Sequence, residues 1–522
     1  MNDDLKALRD IISSSVDSIT AACEAAGTPF PSLNDPIQPS EFTRHGIRSQ
    51  PAVMRSISLI VSAATQLIAT VRPPPATMII SAFRYTLPAA LGVIEAGNVA
   101  EILRDAGPKV EVVQPPPATM IISAFRYTLP ASLGVVEAGN VAEILRDAGP
   151  QGLHINEIAS KSGMDTKKFS SKSGMDTKKL SRILRYLATE HWFREVSPDI
   201  FANNLLSSLL DSGKEINEGF DRRSKHENSK GMSAMAGYVT NSADECIKSG
   251  SYLVEMMTDP NTKFSEEPNC SALQKAFNMT DTFFEFLDRP TEEYRRKRFA
   301  IVMARTNRGN TPAAIVESFD WESIPDGGIL VDVGGGLGHV ALEIAKAHPK
   351  LHIVVEDRPL VMDQAKSFWE ENLPSHVDEN KVHFLGVDFF EEQPKLPGPV
   401  DVFLLRNVIH DWPDKYAIKI LRHLRNAAGP NTKLLVIDNV LDHVCGTDQD
   451  ATRPPSPLLP NLGGASLLSY SADVAVFCVL NAGERTIEGF KDILTPSGWK
   501  FHGVRKNPIS PVFKPAVTAG PA

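Results

Sequence analysis

From Gly328 onward the chain alternates short, almost wholly apolar runs with longer amphipathic stretches. The runs ILVDVGGG, LHIVVED, VHFLGVDFF, VDVFLLRN and TKLLVIDNV have the length of strands. Their continuous apolarity predicts strands buried on both faces of a mostly parallel sheet, with helices between them. Upstream the pattern is helical. In SRILRYLATEHWF the apolar Ile183, Leu184, Leu187 and Ala188 form one stripe, and WFREVSPDIFANN reads as a short hairpin turning at Ser197, Pro198 and Asp199. Helix, basic helix and hairpin predict a winged-helix unit. Residues 241–320 read as mainly helical, with Phe and Met at three- and four-residue spacing. Three regions follow: 1–240, 241–320 and 321–515.

Two segments recur. PPPATMIISAFRYTLPAALGVIEAGNVAEILRDAGP at 73–108 returns at 115–150, with only Ala90 becoming Ser132 and Ile94 becoming Val136. SKSGMDTKK appears at 160–168 and again at 171–179. Working repeat arrays have several diverged copies with distinct caps. Two near-identical copies read instead as a duplication in which one copy is surplus to the fold.

Composition narrows the setting. A hydrophobic content of 42%, with 22% charged residues over 522 positions, is that of a globular protein. A net charge of -9 argues against binding nucleic acid by phosphate neutralisation. The basic face of Lys178, Lys179, Arg182 and Arg185 keeps a DNA-binding winged helix as a rival to a dimerisation module. Five scattered cysteines without a CxxC pair suit neither a disulfide framework nor a zinc site. The start MNDDLKALRD lacks a signal-peptide layout, and the window Ile57–Val71 reads as too short and too polar to span a bilayer. A cytoplasmic protein without a membrane partner is expected.

The first predicted strand runs straight into glycines. Gly334, Gly336 and Gly338 lie between strand and helix, where they permit a tight turn and close ligand approach. About 20 residues on, Glu356 and Asp357 fall where a carboxylate accepts hydrogen bonds from ribose hydroxyls. NAD and S-adenosylmethionine both satisfy that much. Asp332, inside the strand, is placed to organise the loop and meet the amino-acid end of S-adenosylmethionine. In GVDFF, Asp388 offers an acceptor to an adenine amino group and Phe389 an apolar wall, although Asp388 also suits a helix N-cap.

The fourth strand stops at Arg406 and Asn407, and His410, Asp411 and Trp412 follow before a charged helix. Ligands of open α/β sheets bind outside the carboxyl ends of the strands, so His410 stands where chemistry takes place. Asp411 suits the N-cap of the next helix, with Pro413 and Asp414 in its first turn. A metal-assisted route would draw on Asp388, Asp411 and Asn407.

With these motifs the chain resembles the class I S-adenosylmethionine-dependent O-methyltransferases of the plant caffeate and flavonoid type, and their fungal secondary-metabolite and phenol-methylating relatives more closely still. The resemblance runs over residues 50–510, duplicated copies discounted, and is carried by LVDVGGGLGH, VEDRP, LRNVIHDWPD and NAGERTIEGF. It implies a Rossmann-like α/β domain with a mostly parallel seven-stranded sheet, preceded by an α-helical winged-helix dimerisation domain. It implies a cofactor site at Asp332, Gly334, Gly336, Gly338, Asp357, Asp388, Phe389 and Arg406. His410 matches the family's general base, flanked by acids matching Asp438 and Glu484. Asp438 is shorter than the Glu common in the plant enzymes. Phe299 and Met303, one turn apart, match a helix lining the acceptor pocket, and suit plain packing equally. A homodimer without a metal is implied, and the proline-rich segment 451–470 reads as a loop at the pocket mouth. The implied reaction is methyl transfer to a phenolic hydroxyl of a small aromatic metabolite. A DNA-binding regulator with a sensor domain for S-adenosylmethionine is the rival, and the intact IHDWPD and GERT tell against it.

Overall fold

The structure, a computed structural model, describes residues 2–30, 47–96, 125–162, 174–215, 236–306, 316, 319–446, 459–505 and 516–522. The chain separates into two compact units, Met1–Ala243 and Asp244–Ala522, so most of region 241–320 goes with the second.

In the first unit the helices Asn2–Ala26 and Pro51–Val71 pack together around Ile19, Ile47 and Val53. Helix Pro51–Val71 has 21 residues and is long and apolar enough to cross a membrane by length and composition. This corrects the expectation drawn from the shorter window starting at Ile57. The stretch Pro74–Val93 meets the same test, but a turn divides it between helices Pro74–Ala82 and Thr86–Ala96.

The duplicated copies fold unequally. The first contributes helix Pro74–Ala82, which buries Met78, Ile80 and Ala82. The second contributes helices Thr128–Ala138 and Val141–Ala148, which bury Leu129, Leu133, Val141 and Leu145. The equivalent Tyr85 and Tyr127 are 2% and 45% exposed. Among the described residues, the core therefore takes Met78, Ile80 and Ala82 from the first copy and Leu129, Leu133, Val141 and Leu145 from the second. The short repeat behaves alike: helix Ile155–Lys161 reaches into its first copy, and helix Thr177–Thr189 begins in its second. That second helix is capped by Asp176, which accepts from the Lys179 N–H at 2.9 Å.

Strands β1 (Leu153–His154), β2 (Arg194–Ser197) and β3 (Ile200–Ala202) form an antiparallel sheet in the order β1-β3-β2. The hairpin turns at Asp199, whose φ is 61°. On helix Thr177–Thr189, Leu180, Leu184 and Leu187 are buried, while Ile183 and Ala188 flank them half-buried. On the basic face, Arg185 pairs with Asp199 at 2.7 Å and Glu195 at 3.3 Å.

The second unit is built on seven strands: β4 (Ile329–Val333), β5 (His352–Asp357), β6 (Val382–Gly386), β7 (Val400–Arg406), β8 (Lys433–Ile437), β9 (Trp499–Arg505) and β10 (Ala516–Pro521). Their order is β6-β5-β4-β7-β8-β10-β9; the first five are parallel, and β10 runs antiparallel to both neighbours. The last strand lies past the expected end at 515. Along each strand alternate residues enter two cores. Val331, Phe403, Leu405 and Val436 face helices Asp414–Ala427 and Ile487–Leu494. Leu330, Ile353, Leu404 and Leu435 pack with Trp369 and helix His339–Ala347 on the other side. Both faces are apolar, which is why the runs read as continuous. The chain steps outward from β4 to β6 and then returns to β7, so the crevice between the ends of β4 and β7 is the topological switch point.

Candidate active site

The glycine loop is shaped by what surrounds it. Gly334, Gly336 and Gly338 have φ of 68°, 60° and 76°, the left-handed region that other residues avoid. A Cβ on Gly334 would meet Val408 at 2.8 Å, and one on Gly338 would meet the Trp369 indole nitrogen at 2.6 Å. Trp369 is fully buried and donates to the Leu337 carbonyl at 3.1 Å, which seats the loop. A Cβ on Gly336 would meet nothing within 4 Å, so the loop is open there. Of the two acids after β5, Asp357 serves the loop, accepting from the Gly336 N–H at 2.8 Å. Glu356 is buried instead, and burial pushes its carboxyl up to about 7. Burial likewise raises Asp332 to about 7, partly opposed by a backbone hydrogen bond from Ala341 and the nearby Arg406. Asp388 is not an N-cap: it accepts from the Phe390 N–H at 2.9 Å in a turn with no helix after it. Phe389 stands beside Gly334 and packs edge-on against Trp412 at 5.8 Å.

At the end of β7, Asn407 takes a left-handed conformation with φ 55°, which a short polar side chain tolerates. The chain then folds into a single turn, Ile409–Asp411. Asp411 does not cap the following helix; Pro413 occupies that position, and Asp411 Oδ1 lies 3.4 Å from His410 Nε2. The His410 Nδ1 lies 2.9 Å from Glu484 Oε1. Glu484 also accepts from Asn439 Nδ2 at 2.5 Å. Asp438 does not flank the ring as expected. Its short carboxylate accepts backbone N–H groups instead, from Asn407 at 2.8 Å and from His410 at 3.1 Å. Arg485 grips the same turn from the other side, donating to the Ile409 and Trp412 carbonyls at 3.0 and 2.8 Å and to Asp414. Phe299 joins this region through aromatic contacts, 6.3 Å from Phe284, which lies 5.8 Å from Trp412. Met303 is half-buried on the same helix, Glu293–Thr306. In the proline-rich segment, 451–458 lies outside the described residues, and helix Leu467–Leu480 begins before its end.

Residues 259–500 match the family model of the O-methyltransferase domain. An O-methyltransferase of Armillaria gallica is 38% identical over 513 residues, covering 97% of this chain and 96% of that protein. The chain belongs to the O-methyltransferase family. A 4-O-methyltransferase of Phanerochaete chrysosporium is 32% identical over 529 residues, covering 99% of each. Among solved structures, a mitomycin 7-O-methyltransferase shares the fold at TM-score 0.56 and 21% identity, covering 78% of this chain and 97% of that one. A pericyclic-reaction enzyme does so at TM-score 0.58 and 16% identity, covering 90% and 100%. The fold alone therefore does not name the reaction, and membership of the family rests on sequence.

This O-methyltransferase uses S-adenosylmethionine, and solved structures of its fold hold that cofactor. Its residues fit the group. Asp332 Oδ2 is buried without a hydrogen-bond partner among the described residues, and the loop above it is open at Gly336. Asp332, Asp357 and Arg406 border that crevice from β4, β5 and β7. Among the described residues, no three His, Cys, Asp or Glu side chains gather as metal ligands, so Asp388 and Asp411 belong to no such cluster. Sequence reasoning missed Arg485, Asn439 and Asp473. Arg485 was in view as the neighbour of Glu484, whereas the signal for Asp473 was only a lone charge inside the apolar LLSYSADVAVFCVL. Asp473 Oδ1 accepts from the Glu484 N–H at 2.7 Å, and burial pushes its carboxyl up to about 6.

Proposed function

We propose that this enzyme methylates a phenolic hydroxyl of a small aromatic secondary metabolite, with His410 as general base. The observation that carries the reading is the 2.9 Å contact between His410 Nδ1 and Glu484, which fixes the ring so that Nε2 serves as the proton acceptor. Bound S-adenosylmethionine supplies an electrophilic methyl carbon. Asp332, Asp357 and Arg406 border the crevice that would hold it. A phenol titrates near pH 10 and a free imidazole near 6.5, so full proton transfer before attack costs about 5 kcal/mol. A base that takes the proton as the oxygen attacks avoids much of that cost and is typically worth about 10² to 10⁴ in rate. The imidazolium that forms is stabilised by Glu484, and the turn carrying the ring is held by Asp438 and Arg485.

An aromatic acceptor is supported by the ring-lined approach of Phe299, Phe284 and Trp412. A solved relative of the same fold holds a naphthoic acid. The mechanism assigns no role to a metal. A homodimer is supported by helix Pro51–Val71, where Met54, Val61 and Ile68 recur every seven residues and stand exposed along one line. The test is transfer of a labelled methyl group to a panel of phenols in the presence of EDTA. Transfer is expected, with His410→Ala lowering it about 10²- to 10⁴-fold while S-adenosylhomocysteine binding is unchanged. Undiminished turnover by His410→Ala, or abolition by EDTA, overturns the reading.

A further inference from the structure

Glu484 sits in a turn that is fastened on both sides. The helix Leu467–Leu480 ends at Asn481, in the left-handed region with φ 54°, and the Asn481 amide donates to the carbonyls of Ser265 and Glu267 at 2.8 and 3.1 Å. After the turn, Arg485 is buried and fixed to the carbonyls of Ile409 and Trp412. Between them, the Glu484 N–H donates at 2.7 Å to Asp473 Oδ1, on the helix the chain has just left. The approach is close: a Cβ on Gly483 would lie 2.7 Å from the same Asp473 oxygen. The Glu484 side chain then receives Asn439 and His410 on a single oxygen.

We infer that Asp473 is a positioning residue for methyl transfer, holding the backbone of Glu484 so that its carboxylate meets the His410 ring. The inference rests on the reading of His410 as the base. The Glu484 N–H donates to Asp473 directly beside the carboxylate that meets the ring, and the ring is only as well oriented as that carboxylate. A displacement of about 1 Å at such a contact costs up to about 10² in rate. The role requires an acceptor oxygen at position 473, and an amide carbonyl fills it as well as a carboxylate.

The test uses the full chain, labelled with ¹⁵N-histidine and saturated with S-adenosylhomocysteine. Wild type is expected to show a low-field Nδ1–H resonance from His410, identified by its loss in His410→Ala. Asp473→Ala should lose the resonance, as Glu484→Ala does. Gly483→Ala, which pushes on the same oxygen, should lose it too, and Asp473→Asn should keep it. Affinity for S-adenosylhomocysteine should be unchanged in all of them, because none of these residues lies on the glycine loop. In methyl transfer to catechol or 2-naphthol, Asp473→Ala should lower kcat about ten- to a hundredfold at unchanged KM for the cofactor, and Asp473→Asn should restore it. A resonance retained in Asp473→Ala, or lost in Asp473→Asn, overturns the inference. Should Asp473→Ala not fold, Asp473→Asn and Gly483→Ala decide between the same outcomes. Failure of the underlying reading looks different: His410→Ala itself would then leave turnover intact.

Discussion

At the residue scale the site is a problem of holding charge out of water. Asp332 and Glu356 are buried on adjacent strands, and both carboxyls are raised to about 7, burial being the first cause in each case. A carboxyl that titrates higher in the fold than in the unfolded chain takes up protons on folding. The contribution of these two groups to stability is therefore greatest below the ordinary carboxylate range near 4 and falls as pH rises towards 7. In cofactor-free enzyme, the urea midpoint should drop between pH 5 and pH 8, and Asp332→Asn should flatten that drop. Parallel curves for the two proteins would refute the assignment. Glu484 offers a second residue-scale expectation. Glu484→Gln keeps a side chain of the same size beside Nδ1 but cannot stabilise the imidazolium as a charge, so kcat should fall while cofactor affinity holds, as measured by titration calorimetry.

At the element scale the strand ends were legible and the turns between them were not. The five apolar runs named β4 to β8 correctly because a strand buried on both faces has no polar alternation to mislead the reading. His410 and Glu484 were found through their motifs and are in contact. What a motif could not convey was direction. Asp438, one methylene shorter than a glutamate, accepts from the backbone N–H groups of Asn407 and His410. Asp411 looks like an N-cap because a proline and an acid follow it, but the turn Ile409–Asp411 moves the helix start to Asp414. The helix Pro51–Val71 makes the element-scale prediction. Val61 is exposed, so Val61→Glu should change the stability of one protomer by no more than about 0.5 kcal/mol. The same charge buried at a contact between copies has no partner and is costly. Sedimentation should show wild type as a dimer and Val61→Glu shifted to monomer. A variant that stays dimeric removes this helix from the contact.

At the scale of the whole molecule the duplication decides what the chain needs. The first unit buries Met78 and Ile80 from one copy and Leu129, Leu133 and Leu145 from the other, so neither copy can be discarded entire. Sequence alone marks one copy as surplus but cannot tell where to cut, because the two differ at only two conservative positions until packing distinguishes Tyr85 from Tyr127. Deleting 86–127 joins Tyr85 to Thr128 and restores a single copy of FRYTLPAS. It keeps every buried side chain just named. A shorter connection also costs less to close, although only by about 0.6 kcal/mol for each halving of length. The shortened chain should therefore melt as cooperatively as the full one and still gain stability from saturating S-adenosylhomocysteine, by about 2.7 kcal/mol at a hundredfold excess over Kd. Deleting 125–148 removes a much shorter stretch of chain but takes Leu129, Leu133 and Leu145 out of the core, and a single such leucine lost to alanine costs about 2 to 5 kcal/mol. That deletion should unfold the first unit. Scanning calorimetry of the two deletions, with and without ligand, separates them; if 86–127 proves the more damaging cut, the first unit is built from the copies in some other way.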